Sequence, residues 1–200
     1  MAEPISFPGK VEWSGENPGI SLKIDPAGPF TTLASFFRVV LSPHGRGHML
    51  ILLQSPGEAD SPGNLCLTDN EPLARYLVAG FVSHFGAWRS LPGLAGLHYA
   101  PLDSVTTEGD AASTYSEVVK APGLEVRLTW AGLGEPFCFA FAPEHSATGQ
   151  HHMPSLFIGC ETASIMVNGK TLPGETLPRV VAGHPISTAM LAFSETWIKA

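Results

Sequence analysis

Apolar residues along this chain fall in short runs separated by Gly and Pro, and one stretch departs from that pattern. Residues 20–24, 30–41, 48–54 and 64–67 are runs rich in Leu, Ile, Val and Phe, and they read as strands. The second and third flank Ser-Pro-His-Gly-Arg-Gly, a tight glycine turn, and predict a hairpin. From residue 97 onward the pattern predicts strands at about 97–107, 114–120, 123–130, 136–142, 155–167, 170–173 and 186–198. Asn168-Gly169 tolerates the positive φ angles of a type I′ turn and marks a second hairpin, and Pro122-Gly123 marks another turn. In the strand that follows, Leu124, Val126, Leu128 and Trp130 share one face and Glu125, Arg127 and Thr129 the other, so it should be half exposed.

The exception lies at about residues 70–86. Leu73, Tyr76, Leu77, Gly80, Phe81, His84, Phe85 and Trp88 follow one another at helical spacing and form one apolar face. Residues 68–72 supply cap candidates and an early proline, and Gly86 is a natural stop. Gly80 lies on the buried face, where it should allow close approach to a strand. The fold expected is therefore mainly β: an antiparallel β-barrel or sandwich, calycin-like or jelly-roll-like, with one α-helix packed on one side or end of the sheet. The chain reads as one domain over 1–200, with an irregular Pro/Gly/Glu-rich segment at 1–19.

Composition narrows the partners. Charged residues make up only 14% of the chain, against ~25% in ordinary globular domains. Sparse surface charge leaves little to oppose self-association, so a homo-oligomer is expected. The net charge of −7 and the scattered basic residues argue against nucleic acid. The apolar run at 49–53 is far too short to span a bilayer, so no membrane partner is expected. The first ten residues carry neither a basic n-region nor an apolar h-region. Cys66, Cys138 and Cys160 are widely spaced within apolar runs and read as buried thiols in a reducing cytoplasm.

Two groups of residues are candidates for chemistry. The first is Glu195. In a regular strand it shares a face with Leu191, Phe193 and Trp197, where burial raises a carboxyl pKa toward the range of a general acid or base. Arg38, on the face of Phe36 and Val40, wants a carboxylate partner such as Glu161 or Glu195, or an acidic substrate. His48 opens its strand on the face of Leu50 and Leu52. Glu195, Arg38 and His48 form the candidate catalytic set.

The second group is His145, His151 and His152 with Glu161, residue types that suit a divalent transition metal. The segment from Gly159-Cys160-Glu161 to Val167-Asn168-Gly169-Lys170 resembles the strand-turn-strand of cupins. That resemblance implies a metal-dependent jelly roll using these ligands. The pattern departs from the family's H-x-H, because His151 and His152 are adjacent and Glu161 lies nine residues after His152. The chain is therefore not assigned to the cupins.

Together these features predict a small-molecule-binding β-barrel. Eleven Phe, four Trp and three Tyr can line a pocket for a largely apolar molecule. Cofactor-free lyase, isomerase or cyclase chemistry by acid/base catalysis fits that outline. The alternatives are the metal-dependent enzyme and a non-catalytic oligomeric interaction protein.

Overall fold

The computed structural model describes residues 6–200. Residues 1–5, the start of the segment expected to be irregular, lie outside them. Five strands come first: β1 (Lys10–Glu16), β2 (Gly19–Leu22), β3 (Thr32–Leu41), β4 (Gly47–Leu53) and β5 (Asn64–Thr68). They lead into α1 (Glu71–Gly80), a 3-10 turn at Val82–His84 and the one-turn α2 (Pro92–Ala95). Then follow β6 (His98–Pro101), β7 (Ser104–Gly109), β8 (Thr114–Ala121), β9 (Leu124–Leu133) and β10 (Phe137–Phe141). The chain ends with β11 (His151–Val167), β12 (Lys170–Thr171), β13 (Pro178–Val181), β14 (His184–Ser187) and β15 (Ala189–Lys199).

The fold is mainly β. Thirteen strands join one sheet whose path runs β6-β5-β4-β3-β1-β15-β11-β9-β8-β7, and β13–β14 stands apart as a two-stranded hairpin. The two ends of that path, β6 and β7, are successive in sequence. At the link between them, Leu102 N–H donates to Thr68 O on β5 and Asp103 N–H donates to Lys120 O on β8. The sheet therefore curls round until its edges meet at this link, which is a barrel-like way of removing exposed edges. The long strand β11 makes the other corner: its first half pairs with β15 and its second with β9. Pairing is antiparallel except between β5 and β6, which are parallel and need the crossover that α1 and α2 supply.

Two apolar layers explain why some strands alternate and others do not. Inside the curled sheet, Phe36, Leu50, Leu52, Val119, Leu128 and Trp130 are packed together with almost no exposure. On the outer face of β1, β3, β4 and β15, a second layer joins Trp13, Phe37, Met49, Ile51 and Trp197 to Leu73, Leu77 and Phe81. Strands β3 and β4 are covered on both faces and read as unbroken apolar runs. Strand β9 has its outer face in solvent, so Val126, Leu128 and Trp130 point inward while Glu125, Arg127 and Thr129 are only half-buried. The Asn168-Gly169 turn takes positive φ at both residues, as a type I′ turn requires.

Four expectations need correction. First, the helix ends at Gly80, earlier than 86. Asn70 Oδ1 caps it by accepting from Leu73 N–H (3.1 Å), and Phe81 already leaves helical geometry at φ −133°. Phe81, Val82 and Trp88 stay buried in the same outer layer, so the periodic contacts persist although the helix does not. Second, Gly80 makes no close approach: a Cβ there would meet nothing within 4 Å. Third, the segment 1–19 is not irregular where it is described. β1 lies mid-sheet between β3 and β15 and carries the fully buried Trp13. Its alternation is broken by a bulge between Val11 and Trp13, which hides it from a period-two reading. Fourth, Cys138 is exposed, because Phe137, Phe139 and Phe141 take the covered face of β10, against the outer layer. Cys66 is buried as expected, and burial pushes its thiol up to about 12.

Candidate functional site

The site is made by two irregularities that lie side by side in the sheet. Strands β1 and β2 occupy one lane between β3 and β15, interrupted at Asn17-Pro18. Opposite the interruption, β15 carries an extra residue: Ser194 pairs with Leu156 and Ala192 with Phe157, leaving Phe193 between them. A bulge of this kind re-aims the side chains beyond it. Leu191 and Phe193 point into the curled sheet, where Phe193 meets Tyr115 edge-on at 5.0 Å. Beyond the bulge, Glu195 and Trp197 point to the outer layer instead. The regular-strand reading that put all four on one face is corrected by this single extra residue.

Glu195 is 3% exposed and lies at the floor of an outer-face cavity of about 290 Å³. Its Oε2 accepts from Trp197 Nε1 (3.1 Å) and Asn17 Nδ2 (3.4 Å). Ser35 Oγ donates in turn to Asn17 Oδ1 (2.6 Å), which orients the amide. Among the described residues no donor reaches Oε1, so one carboxyl oxygen is fixed and the other is unengaged. Burial pushes the Glu195 pKa up from 4.5 to about 7, against the two hydrogen bonds, which favour the charged form. Ser155 pairs with Glu195 across the strands, and its buried Oγ has no protein partner among the described residues.

The walls are largely aromatic. Phe139 and Phe141 come from β10, Phe157 from β11, and Phe85 and Trp88 from the segment after the helix. His84, Arg89, His145 and Arg179 add polar groups to the lining. The pocket therefore lies outside the curled sheet, between its outer face and the flanking segments, while the interior is filled by side chains.

The remaining candidate residues are distributed elsewhere. Arg38 pairs with Glu16 and with Glu117 (2.8 Å), not with Glu161 or Glu195. Its Nη2 also donates to Thr107 (2.9 Å), and Tyr115 donates to Glu117 (2.7 Å). Burial disfavours the Arg38 charge, yet Glu117 and Glu16 hold its pKa above the ordinary value. Burial likewise raises Glu16, with Arg38 opposing. This cluster ties β3 to β7 and β8. His48 shares a surface depression with Arg38, and its Nδ1 lies 2.7 Å from Asp69 Oδ2. Neither residue lines the Glu195 cavity.

The four metal candidates do not converge. His151 and His152 begin β11 and Glu161 lies nine residues beyond His152 in the same strand, about 30 Å at strand rise. His151 is buried between Thr148 Oγ1 (2.6 Å) and Glu12 Oε2 (2.8 Å). His152 packs near Phe7. Glu161 faces a separate groove with Cys160 and His184. Only His145 joins the Glu195 cavity. Among the described residues no three His, Cys, Asp or Glu side chains are grouped as metal ligands, because the strand that carries the candidates is extended.

Asn17, Ser35 and Arg179 were not recognisable as site residues. Asn17-Pro18-Gly19 does signal a strand break, but nothing local says that it faces Glu195. No helix among the described residues is long and apolar enough to cross a membrane. No family model, curated protein or solved structure matches the chain.

Proposed function

We propose that this protein binds a small, largely apolar molecule in the outer-face cavity and exchanges a proton with it through Glu195. One observation carries the reading: a fully buried carboxyl, anchored by one oxygen and unengaged at the other, at the floor of an aromatic cavity. Such a group is half protonated near neutral pH. It donates from Oε1 in its acid form and accepts a proton in its carboxylate form, as isomerase, lyase or cyclase chemistry requires. Asn17 and Trp197 hold the orientation, and Ser35 fixes Asn17. No cofactor is invoked for this step. The three free thiols fit a reducing compartment such as the cytoplasm.

The test uses a neutral probe, 1-naphthaleneacetamide, followed by quenching of tryptophan emission. Saturable binding that is lost in Ala147→Trp, where the cavity wall is filled, supports the reading. An infrared carboxyl band that titrates near pH 7 and is missing from Glu195→Gln supports the acid/base role. Equal binding by the filled variant, or a Glu195 already ionised at pH 6, would overturn it.

A further inference from the structure

The charge balance of the cavity is opposite to that of the chain. Acidic residues outnumber Lys and Arg by 18 to 11 overall. In the cavity lining the only acid is Glu195, whereas Arg89 and Arg179 both contribute. Arg89 is partly engaged, since its Nη2 donates to His84 O (3.1 Å). Arg179 makes no side-chain hydrogen bond and no ion pair among the described residues.

Its position is well defined. Arg179 and Val181 alternate on β13 and so share a face. Val181 is buried against Phe157, which turns that face toward the cavity. The backbone of Arg179 pairs with Ile186 on β14. Ile186 in turn covers Gly159 of β11, where a Cβ would meet its side chain at 3.0 Å. Leu177 N–H donates to Thr188 Oγ1 (3.0 Å) and Thr188 N–H to Leu177 O (2.8 Å), securing the base of the hairpin. The guanidinium is thus carried on a braced strand, not on a free loop.

We infer that the ligand of this cavity is an apolar molecule bearing one carboxylate, and that Arg179 receives that carboxylate. This rests on the cavity reading above and adds the class of ligand. Arg179 stands at the exposed rim of the cavity without a protein partner among the described residues, so its guanidinium is free to meet a bound anion with charge-assisted hydrogen bonds. A planar fork matches a carboxylate bidentately. One such fork on a mainly apolar wall suits a monoanion, whereas a phosphate dianion needs several donors. With the anionic end at Arg179, the apolar body lies along Phe139 and Phe157 and its other end faces Glu195.

The test compares two probes of nearly equal shape, 1-naphthaleneacetate and 1-naphthaleneacetamide, at pH 6. There Glu195 is mostly neutral and the acid, with a carboxyl pKa of about 4, is ionised. Calorimetry on the wild type should show the carboxylate binding about tenfold tighter than the amide, the scale of a charge-assisted hydrogen bond. Arg179→Gln should abolish that preference while leaving amide affinity within about twofold, which also reports that the variant is folded. Arg179→Lys should retain part of it. Equal binding of the two probes by the wild type, or a preference that survives in Arg179→Gln, overturns the inference and leaves the cavity reading intact. If neither probe binds, both are overturned.

Discussion

Replacing Glu195 by Gln removes one titrating group from the floor of the cavity while keeping its size and its ability to accept from Asn17 and Trp197. The group binds a proton more tightly in the folded chain than in the unfolded one, with a pKa moved from 4.5 to about 7 by burial. Below pH 4.5 it is protonated in both states and adds no pH dependence. Between 4.5 and about 7 the folded state holds a proton that the unfolded state has released, so stability falls as pH rises. The loss is complete above about 7, and at 1.36 kcal/mol per pKa unit it amounts to about 3 kcal/mol. Other groups titrate too: Glu16 is raised, and Asp110 is held low by backbone hydrogen bonds from its own turn. Subtracting the Glu195→Gln curve cancels them. Urea unfolding followed by tryptophan emission at pH 4.5, 6, 7 and 8 gives both curves. The wild type should lose about 3 kcal/mol relative to the variant from the lowest to the highest pH. A flat difference, or one of opposite sign, would show that Glu195 is not desolvated in the folded protein.

Three further outcomes are expected. Gly80→Ala should raise stability by about 0.5 kcal/mol, because the helix gains propensity and the new Cβ meets open space; a lowered melting temperature would contradict that placement. Arg38→Met should cost about 3 kcal/mol by leaving the fully buried Glu117 without its cation, and Glu117→Gln in the same chain should recover part of it. A cost below about 1 kcal/mol in urea titration would make the cluster a surface feature. His151→Ala removes an imidazole bonded through both nitrogens to Thr148 and Glu12, and should cost about 2 kcal/mol. It should also loosen residues 142–150, read as faster limited proteolysis there; unchanged cleavage would show that the loop is held by other contacts.

The class of fold was legible because side-chain periodicity is local. Apolar runs bounded by Gly and Pro identified most strands, and the alternation over 124–130 showed that this strand is half exposed. The Asn168-Gly169 turn was legible for the same reason: its geometry depends on two residues. Glu195 stood out as a carboxylate among large apolar side chains, whichever face it takes. The rest depends on contacts between distant segments. β1 carries few apolar residues, and only its pairing with β3 and β15 makes it central. The face of Glu195 is set by one extra residue in β15, and a bulge leaves no mark on the hydrophobic pattern. Arg38 finds Glu16 and Glu117 because the sheet curls until β7 and β8 come round to β3. His151, His152 and Glu161 are kept apart by lying along a single extended strand. The cavity itself draws on residues near 17, 35, 85, 140, 155, 180 and 195, and no local pattern links them. The sequence by itself determined most of the elements and singled out the buried carboxyl; only the tertiary structure decided which side of the sheet it serves, because that choice is made by non-local pairing and not by local preference.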